Sequence, residues 1–173
     1  TTMSVITHVY MKKKILFRQL MLMLAFLICS NSVYGNVING IKYTSSDGEW
    51  TVVGPEEGYR DLDEYVILDY IDNCPVTKIA PFAFYNYDYK CTSITIPNTI
   101  REIGKYAFSG CKKLSTLTIP ENVETLGRNI LQYPENIKIY YNAIHADYVT
   151  DDTYTDRSFD ISWGNGELII GNN

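Results

Sequence analysis

The sequence predicts an α/β repeat solenoid, in which short parallel strands form one face and short helical turns form the other. One observation is a set of aliphatic residues that recurs about every 23 residues: 24 positions separate Ile79 from Ile103, and 23 separate Ile103 from Leu126. The other is that Pro97 and Pro120 are also 23 positions apart and close similar apolar stretches. Apolar residues repeated at fixed offsets, with a period of about 20 to 30 residues, are typical of stacked repeats.

The strand half of each repeat is marked by alternation. In the middle repeat Leu114, Leu117 and Ile119 are apolar, and the β-forming Thr118 lies between the last two. This predicts a short strand with one buried face, and Pro120 ends it because proline has no N–H for the ladder. Stacked repeats would bury these rows: Ile94, Leu117 and Ile137 in the first, and Ile96, Ile119 and Ile139 in the second.

The other half of each repeat has helical spacing. Val123, Leu126 and Ile130 lie at i, i+3 and i+7, which is one face of a helical turn. Gly110, where the chain turns back in the preceding repeat, suits a positive φ. The side chains expected to stack under these turns are Phe84, Phe108 and Leu131.

Residues 1–35 are predicted to be upstream residues and a signal peptide. Met11–Lys14 is a short basic start, Leu20–Cys29 is uncharged, and Val33–Gly35 resembles a cleavage site. A transmembrane anchor is the alternative, but Arg18 interrupts a stretch that would need about 18 apolar residues. Lipidation of Cys29 is a second alternative, against which the bulky Ile28 before it argues.

The rest of the chain divides into three predicted parts. Residues 36–73 form a β-rich amino-terminal cap, and residues 74–140 hold three repeats. Residues 141–173 form an irregular acidic loop followed by the start of a further repeat at Glu167–Asn173. Because an open solenoid end exposes its core, we expect the chain to be a fragment of a longer protein. A short protein whose last strand forms the edge is the alternative.

One string carries a family resemblance. From Ile94 to Leu114 the chain reads Ile-Thr-Ile-Pro-x-x-Ile-x-x-Ile-Gly-x-x-Ala-Phe-x-x-Cys-x-x-Leu. This resembles the BspA-like leucine-rich repeats of bacterial secreted and surface proteins, and three units match. The resemblance implies a solenoid with a binding or adhesion role toward host proteins or other cells. It implies no catalytic residues and no cofactor. The third unit is shorter, since only 20 positions separate Ile119 from Ile139.

The candidate binding surface is the outward side of the strands. Its residues lie between the buried aliphatic ones and are short and polar. They are Ser93, Thr116 and Asn136 in one row and Thr95, Thr118 and Lys138 in the next. A second candidate is the alternating tyrosine segment, because tyrosine offers large contact area with a polar tip. Its members are Tyr85, Tyr87 and Tyr89.

Charge narrows the possible partners. The chain has 15 basic and 20 acidic residues, and residues 1–35 hold four basic residues and no acidic one, so the remainder carries a net charge of −9. Nucleic-acid binders need a basic face, so we expect no nucleic-acid partner. We also expect no membrane insertion after signal removal. The expected partner is an extracellular protein or a glycan.

No catalytic or metal site is predicted. The remainder contains one histidine, His145, and no Cys-x-x-Cys pair. Cys74, Cys91 and Cys111 are read as structural thiols, with one disulfide as the alternative. The acidic stretch from Asp147 to Asp160 does not match a calcium-binding loop and is read as a solvated loop.

Three functions remain for a secreted or surface repeat protein of this kind. The leading one is a binding or adhesion module; the alternatives are a structural spacer and an accessory segment of a larger secreted protein such as an enzyme. An adhesive surface should expose a contiguous aromatic or apolar patch, whereas a spacer should be uniformly polar.

Overall fold

A computed structural model describes residues 35–85, 90–131, 137–143, 147–149 and 167–170. The described chain forms a β-solenoid in which two sheets enclose one core. The strands are β1 (Gly35–Ile38), β2 (Ile41–Ser46), β3 (Glu49–Pro55), β4 (Glu64–Val66), β5 (Tyr70–Ile71), β6 (Cys74–Ile79), β7 (Ser93–Thr95), β8 (Glu102–Ile103), β9 (Thr116–Ile119), β10 (Thr125–Gly127), β11 (Lys138–Tyr141), β12 (Asp147–Val149) and β13 (Glu167–Ile170).

The amino-terminal strands form an antiparallel meander. β1 pairs with β2, and β2 pairs with β3. Each link is a two-residue loop with positive φ at both residues, the geometry whose twist matches the flanking strands. The loops of the meander are Asn39-Gly40 and Asp47-Gly48, and Asp72-Asn73 joins β5 to β6 in the same way.

The meander continues directly into the solenoid. β3 pairs in parallel with β6, and the same sheet continues through β8, β10 and β12. The Trp50 side chain is buried, and its Nε1 donates a hydrogen bond to the carbonyl oxygen of Ile71 at 3.1 Å. The predicted cap is therefore bonded to the first repeat through the backbone of β3 and β6, and the Trp50 side chain joins two segments of the cap.

The second sheet confirms the predicted parallel strands. Its order is β13-β11-β9-β7-β4, and all of its pairs are parallel. β4, placed by the sequence in the cap, is the first strand of this sheet. The turn at Gly110 has the expected positive φ of 85°.

The predicted register of the third repeat is wrong. Ile139 pairs with Leu117, and Tyr141 pairs with Ile119. Ile137 is the equivalent of Leu114, because both lead their strands and 23 positions separate them. Three positions separate Leu114 from Leu117, but two separate Ile137 from Ile139. The third unit is therefore one residue shorter, and its predicted register was wrong by two residues. The inward rows are Ile94, Leu117 and Ile139, which are all buried, and then Ile96, Ile119 and Tyr141, of which Ile119 is buried and the other two are half-buried.

The predicted helical turns are not confirmed. The sole helical element in the described ranges is a 3₁₀ turn, Glu57–Tyr59. The segments with helical spacing contain the strands β8 and β10 and tight turns. Their N–H groups donate to the neighbouring solenoid turn: Gly104 N lies 2.8 Å from the Ile79 oxygen, and Phe108 N lies 2.7 Å from the Ile130 oxygen.

The predicted core stack is confirmed. Phe84 and Phe108 are fully buried with parallel-stacked rings, and Leu131 is buried too. Cys91 and Cys111 are free thiols buried in the core, as predicted. Their sulfurs donate to the Ser93 and Phe84 carbonyl oxygens at 3.4 and 3.1 Å. Cys74 is disulfide-bonded, so its prediction as a thiol is wrong and the alternative of one disulfide applies to it.

Several predictions fall outside the described residues. They concern residues 1–34, Tyr87, Tyr89, Asn136, His145 and the loop 150–166. Among the described residues, no helix has the length and apolar character needed to cross a membrane.

Candidate functional site

The outward side of the second sheet, here called the strand face, has two rows of side chains. The register gives one row as Glu64, Ser93, Thr116 and Lys138. The other row is Val66, Thr95, Thr118 and Tyr140. Lys138 therefore lies beside Thr116, and Tyr140 takes the place beside Thr118 that was predicted for Lys138.

The strand face is less uniformly polar than predicted. Thr95 and Thr116 are exposed, while Ser93 and Thr118 are half-buried. Val66 on the edge strand β4 is 52% exposed, and Tyr140 on β11, beyond which β13 pairs, is half-buried. The hydroxyls of β7 and β9 thus form a narrow band between these two less polar side chains.

A second surface lies on the arcs that join the two sheets. Phe82, Tyr106 and Asn129 occupy the same place in successive turns and have φ values of 61°, 57° and 52°. This left-handed conformation is tolerated by asparagine but is a real outlier for a bulky residue. Two aromatic residues are therefore held where glycine or asparagine would be less strained.

The aromatic residues on these arcs contact one another. The Phe82 and Tyr106 rings are stacked, with centroids 5.1 Å apart and planes 11° apart. Tyr85 meets the Phe82 ring edge-on at 5.4 Å, with an interplanar angle of 83°. Phe82 and Tyr85 are 46% and 47% exposed, and Tyr106 is half-buried. We call Phe82, Tyr85 and Tyr106 the aromatic ridge.

The next turn completes the ridge with polar groups. The Arg128 guanidinium lies over the Tyr106 ring, 5.8 Å from its centroid. Asn129 Nδ2 donates a hydrogen bond to Tyr106 Oη at 3.2 Å. The aromatic stack is therefore followed by a cation and an amide along the solenoid axis.

A groove of about 170 Å³ runs beside the ridge. It contains Lys105 and Arg128, the chain neighbours of Tyr106 and Asn129. Its lining residues are Pro81, Glu102, Ile103, Gly104, Lys105, Thr125, Gly127 and Arg128. Glu102 Oε2 lies 3.9 Å from Lys78 Nζ, so the carboxylate of the groove has a cation beside it.

The ridge was only partly predicted. Tyr85 was a candidate residue as a member of the alternating tyrosine segment, and in the structure it contacts the Phe82 ring. Phe82 and Tyr106 were missed, although 24 positions separate them and 23 separate Tyr106 from Asn129. That spacing is the same as the spacing of the core residues and could have identified the ridge.

Titratable groups give no sign of acid–base chemistry in the described part of the chain. The pKa of the Cys91 thiol is raised to about 11, mainly by burial; a backbone hydrogen bond at Ser93 lowers it, and the Asp63 and Glu64 carboxylates raise it further. A thiol with a raised pKa is a poor nucleophile. No group of three histidine, cysteine, aspartate or glutamate residues suited to a metal ion is found among the described residues.

Comparison with known proteins identifies the repeat. Residues 77–158 match the family model described as "BspA type Leucine rich repeat region (6 copies)". The resemblance inferred from the Ile94–Leu114 string is therefore confirmed. A comparison with curated proteins gives no match.

Two solved structures share the fold. One is a leucine-rich repeat protein from Bacteroides capillosus, with a TM-score of 0.60 and 19% sequence identity, covering 80% of this chain and 99% of that one. The other is a leucine-rich cell surface protein from Faecalibacterium prausnitzii, with a TM-score of 0.50 and 22% identity. It covers 80% of this chain, which spans 44% of that longer protein.

Proposed function

Because residues 77–158 match the BspA-type leucine-rich repeat model, we propose that this chain is a binding or adhesion module of a secreted or cell-surface protein. Its partners are host proteins, the surfaces of other cells, or glycans. The chain is not an enzyme, and its own contribution is to hold a rigid surface toward a partner.

The aromatic ridge is the observation that carries this proposal. A spacer needs only a polar surface, yet Phe82 and Tyr106 hold aromatic side chains at strained positions on the outside of the solenoid. The left-handed conformation costs a non-glycine residue about 1–2 kcal/mol. Strain that the fold itself does not require is typical of functional sites.

The strand face is the second contact surface of the proposed module. Its central hydroxyls suit many weak hydrogen bonds with an extended partner; Asn136, and separately Tyr87 and Tyr89, stay candidates predicted from the sequence. Strands in a sheet lie about 4.8 Å apart, so the face is flat and would hold a partner weakly. Strong adhesion would then depend on many copies acting together.

The test is binding of the secreted chain to immobilised extracellular-matrix proteins, host cells and a glycan array. Two double variants separate the surfaces: Phe82→Asn with Tyr106→Asn on the ridge, and Thr95→Glu with Thr116→Glu on the strand face. Lys42→Gln, an exposed change in the amino-terminal meander, is the control. We expect the wild type and the control to bind one class of target, and the ridge variant to lose at least tenfold in affinity.

The spacer alternative predicts a different outcome. A spacer or accessory segment would bind none of these targets, and neither double variant would differ from the wild type. Loss of binding in the strand-face variant alone would move the site to the strand face and leave the module function intact.

A further inference from the structure

We propose that β4, the edge strand of the second sheet, accepts an extended, basic segment of a partner polypeptide as an additional strand. This inference rests on the proposed binding function and adds to it an interaction surface separate from the aromatic ridge. It follows from the pairing of β4, from the side chains that β4 presents, and from the charge of the segment that contains it.

β4 lies at an edge because the cap extends the other sheet. The cap strands β1, β2 and β3 pair in sequence and join that sheet through β6. The second sheet ends at β4, which pairs with β7 and with no other strand in the described ranges. An edge strand can pair with a strand of another chain, and this way of binding recurs in peptide recognition.

The backbone of this segment directs alternate residues toward β7. Ile67 N donates a hydrogen bond to the Thr95 oxygen at 3.1 Å, and the Asp63 oxygen accepts one at 2.8 Å from the residue that precedes β7. Backbone groups alternate in direction along a strand, so those of Glu64 and Val66 point away from β7. The N–H and carbonyl groups of these two residues therefore lie along the edge that a new strand would use.

The edge lacks three features that commonly prevent pairing. Lysine, proline or a bulge is typical of edge strands that stay unpaired, whereas β4 reads Glu64-Tyr65-Val66 and pairs with β7 without a register shift. Tyr65 is buried, while Glu64 is exposed and Val66 is 52% exposed. The outward side chains of the edge are therefore one carboxylate and one aliphatic group.

Charge decides which segment fits this edge. Residues 56–72, which include β4, contain seven acidic residues and one basic residue, a net charge of −6. Residues 90–131 contain six basic and three acidic residues, a net charge of +3. Asp61, Asp63 and Glu64 form no ion pair with the described residues. A basic segment is therefore complementary to this edge of the solenoid.

The alternation of β4 gives the pattern expected in the partner. Side chains that lie opposite each other on neighbouring strands are about 4.5–5.5 Å apart, and opposite charges there attract. A lysine or arginine beside Glu64 and an aliphatic residue beside Val66 would both lie on the strand face, with one residue between them. The partner segment should therefore alternate basic and aliphatic residues.

The experiment is a titration of the full chain with fluorescent peptides of about ten residues, long enough for one strand, followed by anisotropy. The basic probe alternates lysine and valine, and the acidic probe alternates glutamate and valine. A third probe is the basic one with a methyl group on every backbone nitrogen, which removes the N–H donors and keeps the charge. We expect the basic probe to bind at least tenfold more tightly than either of the others.

The variants locate the site. Glu64→Gln should weaken the basic probe about threefold, since an exposed ion pair contributes a severalfold change in affinity. Glu121→Gln makes the same change on an exposed residue between β9 and β10 and should leave the affinity unchanged. Val66→Pro should weaken the basic probe at least tenfold, because proline removes an edge N–H that β7 does not use, and edge strands tolerate it. Circular dichroism and melting establish that each variant is folded.

Amide hydrogen exchange locates the site without a substitution. The N–H groups of Glu64 and Val66 should exchange rapidly in the free chain and at least tenfold more slowly with saturating basic probe. The N–H of Ile67, which is bonded to Thr95, should be protected in both states. Protection of Glu64 and Val66 in the free chain would mean that the edge is already covered, and the inference would be wrong.

Other results would also overturn the inference. The methylated probe could bind as well as the basic one, which would make the attraction one of charge alone, or the acidic probe could bind equally well. Self-association in sedimentation that Val66→Pro abolishes would assign the edge to a second copy. If the probes fail while the ridge variant still loses binding to matrix or cells, the module function stands and the inference about β4 alone is wrong.

Discussion

The Phe84 and Phe108 rings lie one solenoid turn apart and stack with their centroids at 5.8 Å and their planes at 23°. The Tyr65 ring, on β4, is tilted against the Phe84 ring with their centroids 5.5 Å apart. Phe84, Phe108 and Leu131 occupy the same place in successive turns, and all three are buried. This column packs between the two sheets and holds neighbouring turns together.

Phe108→Ala should destabilise the protein by about 3–5 kcal/mol, since it removes a fully buried ring from the centre of this column and leaves a cavity. The free energy of unfolding, measured by urea denaturation, checks this. An unchanged denaturation midpoint would contradict the assignment of Phe108 to the core.

Phe82→Asn should change the free energy of unfolding by less than about 1 kcal/mol. The left-handed conformation suits asparagine and relieves about 1–2 kcal/mol of strain, while the lost stacking on Tyr106 costs about 0.5–1.5 kcal/mol. Urea denaturation beside Phe108→Ala makes the comparison direct, because both changes remove a phenyl ring. A loss as large as that of Phe108→Ala would make the ridge a part of the core.

Gly104→Ala should destabilise the protein by about 1–3 kcal/mol through overpacking. A methyl group there would lie under 3.0 Å from backbone atoms of Ala80 and Pro81 in the neighbouring turn. Backbone cannot move aside as a flexible side chain can. Gly58→Ala is the control, because nothing lies within 4 Å of its added methyl group. Equal melting temperatures for the two variants would show that the turns are not in close contact at Gly104.

Stability should fall as the pH rises from about 9 to about 11. The pKa of Cys91 is raised from 9.0 to about 11 in the folded protein, mainly by burial. As the pH rises, the unfolded chain loses this thiol proton before the folded chain does. The stabilisation of the folded protein by the protonated thiol is therefore complete below pH 9 and is lost as the pH approaches 11.

Cys91→Ala isolates the contribution of this thiol. Burial also raises the pKa of Tyr43 and of Tyr141, and both tyrosines remain in the variant, so both proteins should lose stability over this range. The wild type should lose it more steeply because it also contains the Cys91 thiol. Urea denaturation at several pH values from about 8 to 11 gives both slopes. Identical slopes would mean that Cys91 does not titrate differently on unfolding.

The repeat was predictable because its signal is local. Alternation at Leu114, Leu117 and Ile119 fixes which side chains point inward, and the same residues are buried in the structure. The helical half was misread for a related reason. Val123, Leu126 and Ile130 are all buried, so the inward positions were right, but apolar spacing does not show where the N–H groups donate.

The candidate site was less predictable than the fold. Phe82 and Tyr106 adjoin core positions, and no pattern in the sequence states that their backbone has positive φ. The outward side of the strands was predicted, but the residues of β11 were misplaced on it. The chain has one residue fewer between Ile137 and Ile139 than between Leu114 and Leu117. Comparing the apolar pattern of the third repeat with that of the second does not reveal this difference, because the backbone pairing of Ile139 with Leu117 is what sets the register.

The sequence by itself determined the period, the repeat family, the buried residues and the parallel sheet, because each depends on side-chain type at regular intervals. Only the tertiary structure decided that the second half of each repeat is sheet and turn. Its hydrogen bonds run between Gly104 and Ile79 and between Phe108 and Ile130, more than 20 residues apart in the chain. The tertiary structure also formed the ridge, since Phe82 and Tyr106 stack only when successive turns lie in contact.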